Sequence, residues 1–390
     1  MSTKENNIQF WTLNISSYLA QTGIIIINLA LVYYLTSLSA TPSFVGLSSA
    51  TYTFCYLVGC LALGSLYERV KPRKMVMLSL FGMAFSIAMV VLVKSLKLSL
   101  IFLSLYGLFM SMLWPQMESW ITRGKEGKAL NKATMWFNLM WSSATGVSSY
   151  IATYFISKSV TIGLLSGVVT LFITFVMVFV ISTFVPSIRA VKGEREANKE
   201  KLNLVDNSTT LRFYSWIGVA SAYLILAILN NIFPLYAQSL SFSASTVGSL
   251  LVIRGLTTFV CFILLGKANW WQFKFSLIIL SQIVLALCCV FSSYFNSELA
   301  FAFVFFVIGV LISLIYDFSI FHSASGAVNR NKRMIIHEVM INGGAVIGSL
   351  LGGGIYENFG YSFLMWCIAI LLLLSTIVQS IVYKIKSCTV

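Results

Sequence analysis

Ionisable side chains are rare in the apolar stretches of this chain, and Arg254 is the sharpest case, because it lies well inside the run Thr246 to Gly266. A guanidinium there brings a permanent charge and a bidentate fork, which suits an anionic group of a solute. Its alternative role is structural, as the partner of an acid, and the nearest candidate is Asp317 in the run Leu299 to Ser323. Glu118 closes Trp114-Pro115-Gln116-Met117-Glu118 at the end of another apolar run. His337 and Glu338 begin a further one, where interfacial snorkelling accounts for them better than a proton relay. No metal-ligand cluster, no Gly-Lys-Ser/Thr phosphate loop and no catalytic constellation is present, so neither an enzyme nor a cofactor is expected. Direct coupling to ATP hydrolysis has no machinery either. Cys55, Cys60, Cys261, Cys288, Cys289 and Cys367 fall inside apolar runs with no metal-type spacing and read as small core residues.

The elements that must position these groups follow from composition. Of 390 residues, 58% are hydrophobic and only 10% charged, with a mean hydropathy of +0.89, so the chain is an all-α polytopic membrane protein. A net charge of +14 could suggest nucleic acid. The basic residues sit instead in short loops between apolar runs, where the cytoplasmic leaflet accounts for them, and no nucleic-acid partner is expected. A crossing needs roughly 20 apolar residues. On that rule twelve spans are expected: Leu13 to Leu38, Ser43 to Leu66, Met75 to Val93, Leu98 to Ile121, Lys132 to Phe155, Val160 to Val185, Phe213 to Leu240, Thr246 to Gly266, Phe275 to Phe295, Leu299 to Ser323, Met334 to Phe359 and Tyr361 to Ile385. They divide into an N-terminal bundle (1–185), a polar connector (186–212) and a C-terminal bundle (213–390). The first run is too long for a signal-peptide core and is expected to remain in the protein.

Loop charge sets the expected orientation. Of the 26 Lys and Arg, the alternate loops hold only Lys94, Lys97 and Lys158, and Arg254 lies within a span. The rest fall on the other side, which puts both termini and the connector in the cytoplasm of a cell membrane. Arg254 is then roughly 12 Å along its span, near the bilayer centre, and Asp317 roughly 24 Å along its own.

The two halves repeat. A shift of 202 residues superimposes Asn28 on Asn230, Tyr34 on Tyr236, Ser37-Leu38-Ser39 on Ser239-Leu240-Ser241, Val45-Gly46 on Val247-Gly248, Gly107 on Gly309, Ser111 on Ser313 and Gly146 on Gly348. Six spans per half keep the duplicates in one orientation, which makes two pseudo-symmetric six-helix bundles.

The loop after the second span reads Gly64-Ser65-Leu66-Tyr67-Glu68-Arg69-Val70-Lys71-Pro72-Arg73-Lys74. It resembles the signature loop of the major facilitator superfamily: Gly64, Glu68, Arg69, Arg73 and Lys74 fall on the pattern, with Glu68 for the usual Asp and Lys71 for the usual second Gly. With the repeat, this resemblance covers essentially the whole chain and implies a secondary transporter working by alternating access. It further implies a gate in which Glu68 caps the eleventh span near Ile336 to Glu338 while Arg69 or Arg73 pairs with Glu118. Spans one, four, seven and ten line the family's cavity. That points to Gln21, Thr22, Asn28, Tyr106, Trp114, Tyr223, Asn230, Asn231, Ser313, Tyr316 and Asp317, with Trp136, Asn138 and Trp141 of the fifth span in reach. Amides and aromatic rings suit neutral hydrogen bonding and flat apolar faces, although any one of them can serve simply to join two helices.

Departures from the family inform too. Leu103 stands where proton-coupled members carry Arg, the first span has no carboxylate, and the antiporter motif is replaced by Ser142, Gly146, Val147, Tyr150 and Ile151. Gly344, Gly348, Ser349, Gly352 and Gly353 recur at packing intervals. The expected function is movement of a small organic solute, anionic through Arg254, by a monomer in contact with lipid and driven by a solute or ion gradient, with proton or sodium as the coupling ion. Efflux of amphipathic compounds is the second reading. A transport-inactive sensor or scaffold is the third, and it would call for an added soluble domain or long tail.

Overall fold

The computed structural model describes residues 3–63, 70–122, 127–184, 209–268, 270–325 and 330–388. All regular structure among them is helical. The helices are α1 (Thr3–Ser37), α2 (Pro42–Ala62), α3 (Pro72–Val93), α4 (Leu96–Met110), α5 (Trp114–Thr122), α6 (Gly127–Lys158), α7 (Val160–Phe184), α8 (Leu211–Asn231), α9 (Phe233–Ser239), α10 (Ala244–Gly266), α11 (Phe275–Tyr294), α12 (Glu298–Ala324) and α13 (Arg330–Cys388).

Among the described residues, ten helical segments are long and apolar enough to cross a membrane, against the twelve expected. The difference lies at two places. α6 is not among the ten because it is rich in Ser, Thr and Asn, which lowers its hydropathy. The last segment, Ile336–Ile385, is 50 residues long and contains Gly360 at φ 80 and ψ 177. That left-handed residue interrupts the helix where the sequence places a boundary, and only glycine adopts such a φ without strain.

Two other boundaries are corrected. The run Leu98 to Ile121 is divided into α4 and α5, and the run Phe213 to Leu240 into α8 and α9. The cause is Pro115 in one and Pro234 in the other: each lacks an N–H, and its ring crowds the carbonyl four residues earlier, at Ser111 and Asn230. Pro234 therefore bends the chain beside Asn230, a candidate site residue.

The chain forms two compact units, residues Met1–Ala40 with Thr51–Asn203 and residues Thr41–Ala50 with Leu204–Val390. The early part of α2 thus belongs to the second unit. In unit 1, α1 packs on α6 and α7, and α3 on α4 and α7. In unit 2, α8 packs on α13, α10 on α12, and α11 on α13.

α7 shows why these helices suit a lipid solvent. Its exposed face carries Val169, Phe172, Ile173, Val176, Phe179 and Val180, while its buried face holds Gly167, Leu171, Thr174, Val178 and Ser182. The small and polar residues Gly167, Thr174 and Ser182 go inward beside Leu171 and Val178, while the outward face is large and apolar, which a helix in water would not present to its solvent. Gly167 and Gly23 let α7 and α1 touch through backbone: a Cβ on Gly167 would lie 3.0 Å from the Gly23 carbonyl oxygen. On α13, a Cβ at Gly344 or Gly348 would overlap the Ala220 or Leu224 carbonyl of α8, so these glycines do serve packing.

The 202-residue offset reappears in the backbone. After α1, the Leu38 and Ala40 N–H groups donate to Leu35 O at 3.0 and 3.0 Å; after α9, Leu240 and Phe242 donate to Ala237 O at 3.2 and 2.9 Å. Ser39 and Ser241 take φ of 64° and 62°. The Ser37 and Ser239 hydroxyls donate to Tyr34 O and Tyr236 O, both at 2.7 Å.

Candidate functional site

Among the described residues, the buried guanidinium lies in unit 2. Arg254 lies midway along α10 and is 5% exposed. Its Nη1 donates to Asn230 Oδ1 at 3.0 Å, next to the Pro234 bend that ends α8. Among the described residues Arg254 forms no ion pair, so the alternative of a structural pair with Asp317 is not what the structure shows. The helices around it are held in register by polar bonds. Thr246 Oγ1 donates to Glu298 Oε1 at 3.2 Å, and Thr258 Oγ1 to Gly309 O at 3.0 Å, which aligns α10 with α12. At this crossing a Cβ on Gly309 would stand 2.6 Å from Arg254 O, too close for any other residue.

Further along the same unit the aromatic candidates come together. The Tyr223 and Tyr316 rings are 6.4 Å apart, and Tyr316 also meets Phe262 at 5.8 Å and His337 at 5.3 Å. Tyr223 lies in the electrostatic field of both Arg254 and Glu338. Asn342 Nδ2 donates to Glu338 O at 2.8 Å and reaches its Oε2 at 3.4 Å. His337 is 1% exposed, which corrects the snorkelling expectation: Nδ1 is 2.7 Å from Ser319 Oγ, so the ring is anchored inward. Ser323 Oγ donates to Ser319 O and accepts from Trp216 Nε1, extending this network to α8. Ser319 was missed from the sequence, though it lies one turn after Tyr316. Asp317 is partly buried and, among the described residues, has no hydrogen bond or ion pair.

Asn231, next to Asn230, plays a different part. Its Nδ2 donates to Ser49 Oγ at 2.8 Å and Ser349 Oγ at 3.1 Å, so it ties α8 to α2 and α13 within unit 2. Ser49 carried no signal in the sequence that set it apart from other serines in apolar runs.

In unit 1, Gln21 Nε2 donates to Thr145 Oγ1 at 3.1 Å, which joins α1 to α6, and within α6 Trp141 Nε1 donates to Asn138 Oδ1 at 3.1 Å. Trp136 meets Trp11, and Trp114 meets Phe137, edge to face. Thr22 bonds back to Tyr18 O in its own helix. Asn28 Oδ1 is buried without a hydrogen bond. Tyr106 is fully buried with its ring on Tyr52 at 5.7 Å, a core position and not an open wall.

Of the expected gate, Glu68 and Arg69 lie outside the described residues, as does the side chain of Glu118. Arg73 donates from Nε to Ser182 Oγ, within unit 1. α13 runs from Arg330, so Ile336 to Glu338 lie in its second and third turns. Their N–H groups are not the free ones of a helix start, which corrects the expected capping position.

A family model described as Major Facilitator Superfamily matches residues 13–327. No curated protein matches the chain. Among solved structures, the nucleoside transporter NupG is similar at a TM-score of 0.71 and 11% identity, over 96% of this chain and 99% of that one. A POT family transporter in complex with a thioalcohol-conjugated peptide reaches 0.73 at 11% identity, covering 97% and 96%. A bacterial homolog of the human lysosomal transporter Spinster, inward-facing and unoccupied, reaches 0.73 at 10% identity, covering 96% of each chain.

Proposed function

Because the chain belongs to the major facilitator superfamily and is a multi-pass membrane transporter, we propose that it moves a small organic solute bearing an anionic group, by alternating access, with Arg254 as the anion anchor. The observation that carries this is the buried guanidinium with an amide for a partner and no ion pair among the described residues. A charge at membrane depth is costly, and a structural role would offset that cost with a carboxylate. Asn230 uses one donor and aims the head, while the remaining N–H groups stay open to a carboxylate, phosphate or sulfate. Tyr223, Tyr316 and Phe262 add flat apolar faces for the solute's body. Twelve crossings, with the termini in the cytoplasm, accommodate the loop charges.

The test uses purified protein, a panel of small carboxylates and their methyl esters. Wild type is expected to be stabilised against heat by some acids and not by their esters. Arg254→Gln should weaken binding of those acids by about tenfold to a hundredfold, the value of a charge-assisted hydrogen bond, with little loss of fold. Equal response to acid and ester, or an Arg254→Gln protein that binds as wild type does, removes Arg254 from the site.

A further inference from the structure

The anion anchor has a counterpart of opposite sign in the same unit. Gly309, Ser313 and Asp317 recur every fourth residue of α12 and so share one face of the helix. That face meets α10: Gly309 lies against Arg254 O, it accepts from Thr258 Oγ1 at 3.0 Å, and Ser313 faces Cys261. Phe262 meets Tyr316 one step further on. The α10 stripe that carries Arg254 and the α12 stripe that carries Asp317 therefore run along a shared seam. Eight residues separate Gly309, level with Arg254, from Asp317, which is about 12 Å along the helix axis. The Tyr223 ring, in the field of Arg254, lies 6.4 Å from that of Tyr316, the residue before Asp317 on α12.

Arg254 and Asp317 both sit in helices long and apolar enough to cross a membrane, and neither has an ion-pair partner among the described residues. They form no ion pair with one another, and about 12 Å of helix axis separates their levels. A simple monoanion would satisfy Arg254 and leave the Asp317 carboxyl without a polar partner in an apolar setting. One ligand class compensates both ends at once.

We propose that unit 2 recognises an elongated zwitterion, with its anionic group on Arg254 and Asn230, its ammonium group on Asp317, and its middle along Tyr223 and Tyr316. This rests on Arg254 as the anion anchor and adds the second charge and the length. The spacing disfavours a simple α-amino acid, whose two charges are only a few bonds apart, and favours an ω-amino acid or a short peptide.

The experiment titrates purified full-length protein with 8-aminooctanoate, whose extended chain spans about the same distance, with its N-acetyl derivative and with glycine, reading thermal stabilisation. Wild type should bind 8-aminooctanoate at least about tenfold more tightly than the N-acetyl compound, as loss of a charge-assisted bond requires, and glycine more weakly still. Asp317→Asn should erase that ratio while keeping the affinity for the N-acetyl compound; Asp317→Glu should retain it. Arg254→Gln should weaken both long ligands alike. A wild-type ratio near one, or a ratio unchanged in Asp317→Asn, overturns the zwitterion site while leaving the anion anchor standing. No effect of Arg254→Gln on either compound brings down the anchor itself. Should Asp317→Asn not fold, the wild-type ratio and the Asp317→Glu protein still decide.

Discussion

In unit 1, α4 passes α2 at Gly107, where a Cβ would overlap the Tyr52 carbonyl oxygen; in unit 2, α12 passes α10 at Gly309, against the Arg254 carbonyl. Each pair is related by 202 residues, so the same crossing has been built twice. What the crossing carries differs. Tyr52 turns its ring onto Tyr106, whose equivalent in unit 2 is Ile308, whereas Arg254 extends to Asn230. The equivalent of Asn230 is Asn28, whose Oδ1 is buried without a hydrogen bond. A glycine that lets two backbones touch constrains the helix pair and leaves the neighbouring side chains free to diverge. One half has an apolar, aromatic crossing and the other carries a charge.

The largest effect is expected at the glycines. Gly107→Leu and Gly309→Leu should each destabilise by about 3 kcal/mol or more, because backbone cannot yield as a side chain can. Thermal unfolding in detergent measures it, with Gly107 the worse of the two; a tolerated substitution at either site breaks the structural equivalence. Next, Tyr52→Arg should place a guanidinium within reach of Asn28. In a double-mutant cycle with Asn28→Ala, the coupling should be about 1.5 kcal/mol, as for a hydrogen bond to a charged group. Zero coupling would mean that the likeness stops at the backbone. The smallest effect sits in the repeated turn: Ser39→Gly and Ser241→Gly each relieve a left-handed residue and should stabilise by about 0.5 kcal/mol after glycine's own entropy cost. Opposite signs at the two sites would show that the turns differ in ways their matching bonds do not reveal.

Much of the fold was legible in the chain. The break at Gly360, the turns after residues 37 and 239, and the glycine packing of α13 all follow from local conformational limits or from the period of small residues. Pro115 and Pro234 were equally visible, but a proline inside a membrane span can either bend a helix or end it, and neighbouring packing selects the outcome. The site was less legible. Asn230 and Asn231 are indistinguishable in sequence, yet a helix turns about 100° per residue, so one meets Arg254 and the other meets Ser49 and Ser349. Tyr106 reads as a wall residue until its ring is seen on Tyr52, and His337 as an interfacial group until Ser319 is found beside it.

The sequence by itself determined a polytopic helical membrane protein with an internal duplication, and a lone cation at membrane depth, because lipid demands long apolar helices and makes every buried charge conspicuous. Only the tertiary structure decided that this cation is held by Asn230, that Asp317 stands without a partner among the described residues, and which of two adjacent amides serves packing. Those outcomes depend on how each helix is rotated about its axis and where it crosses its neighbour, and helical periodicity alone leaves both open.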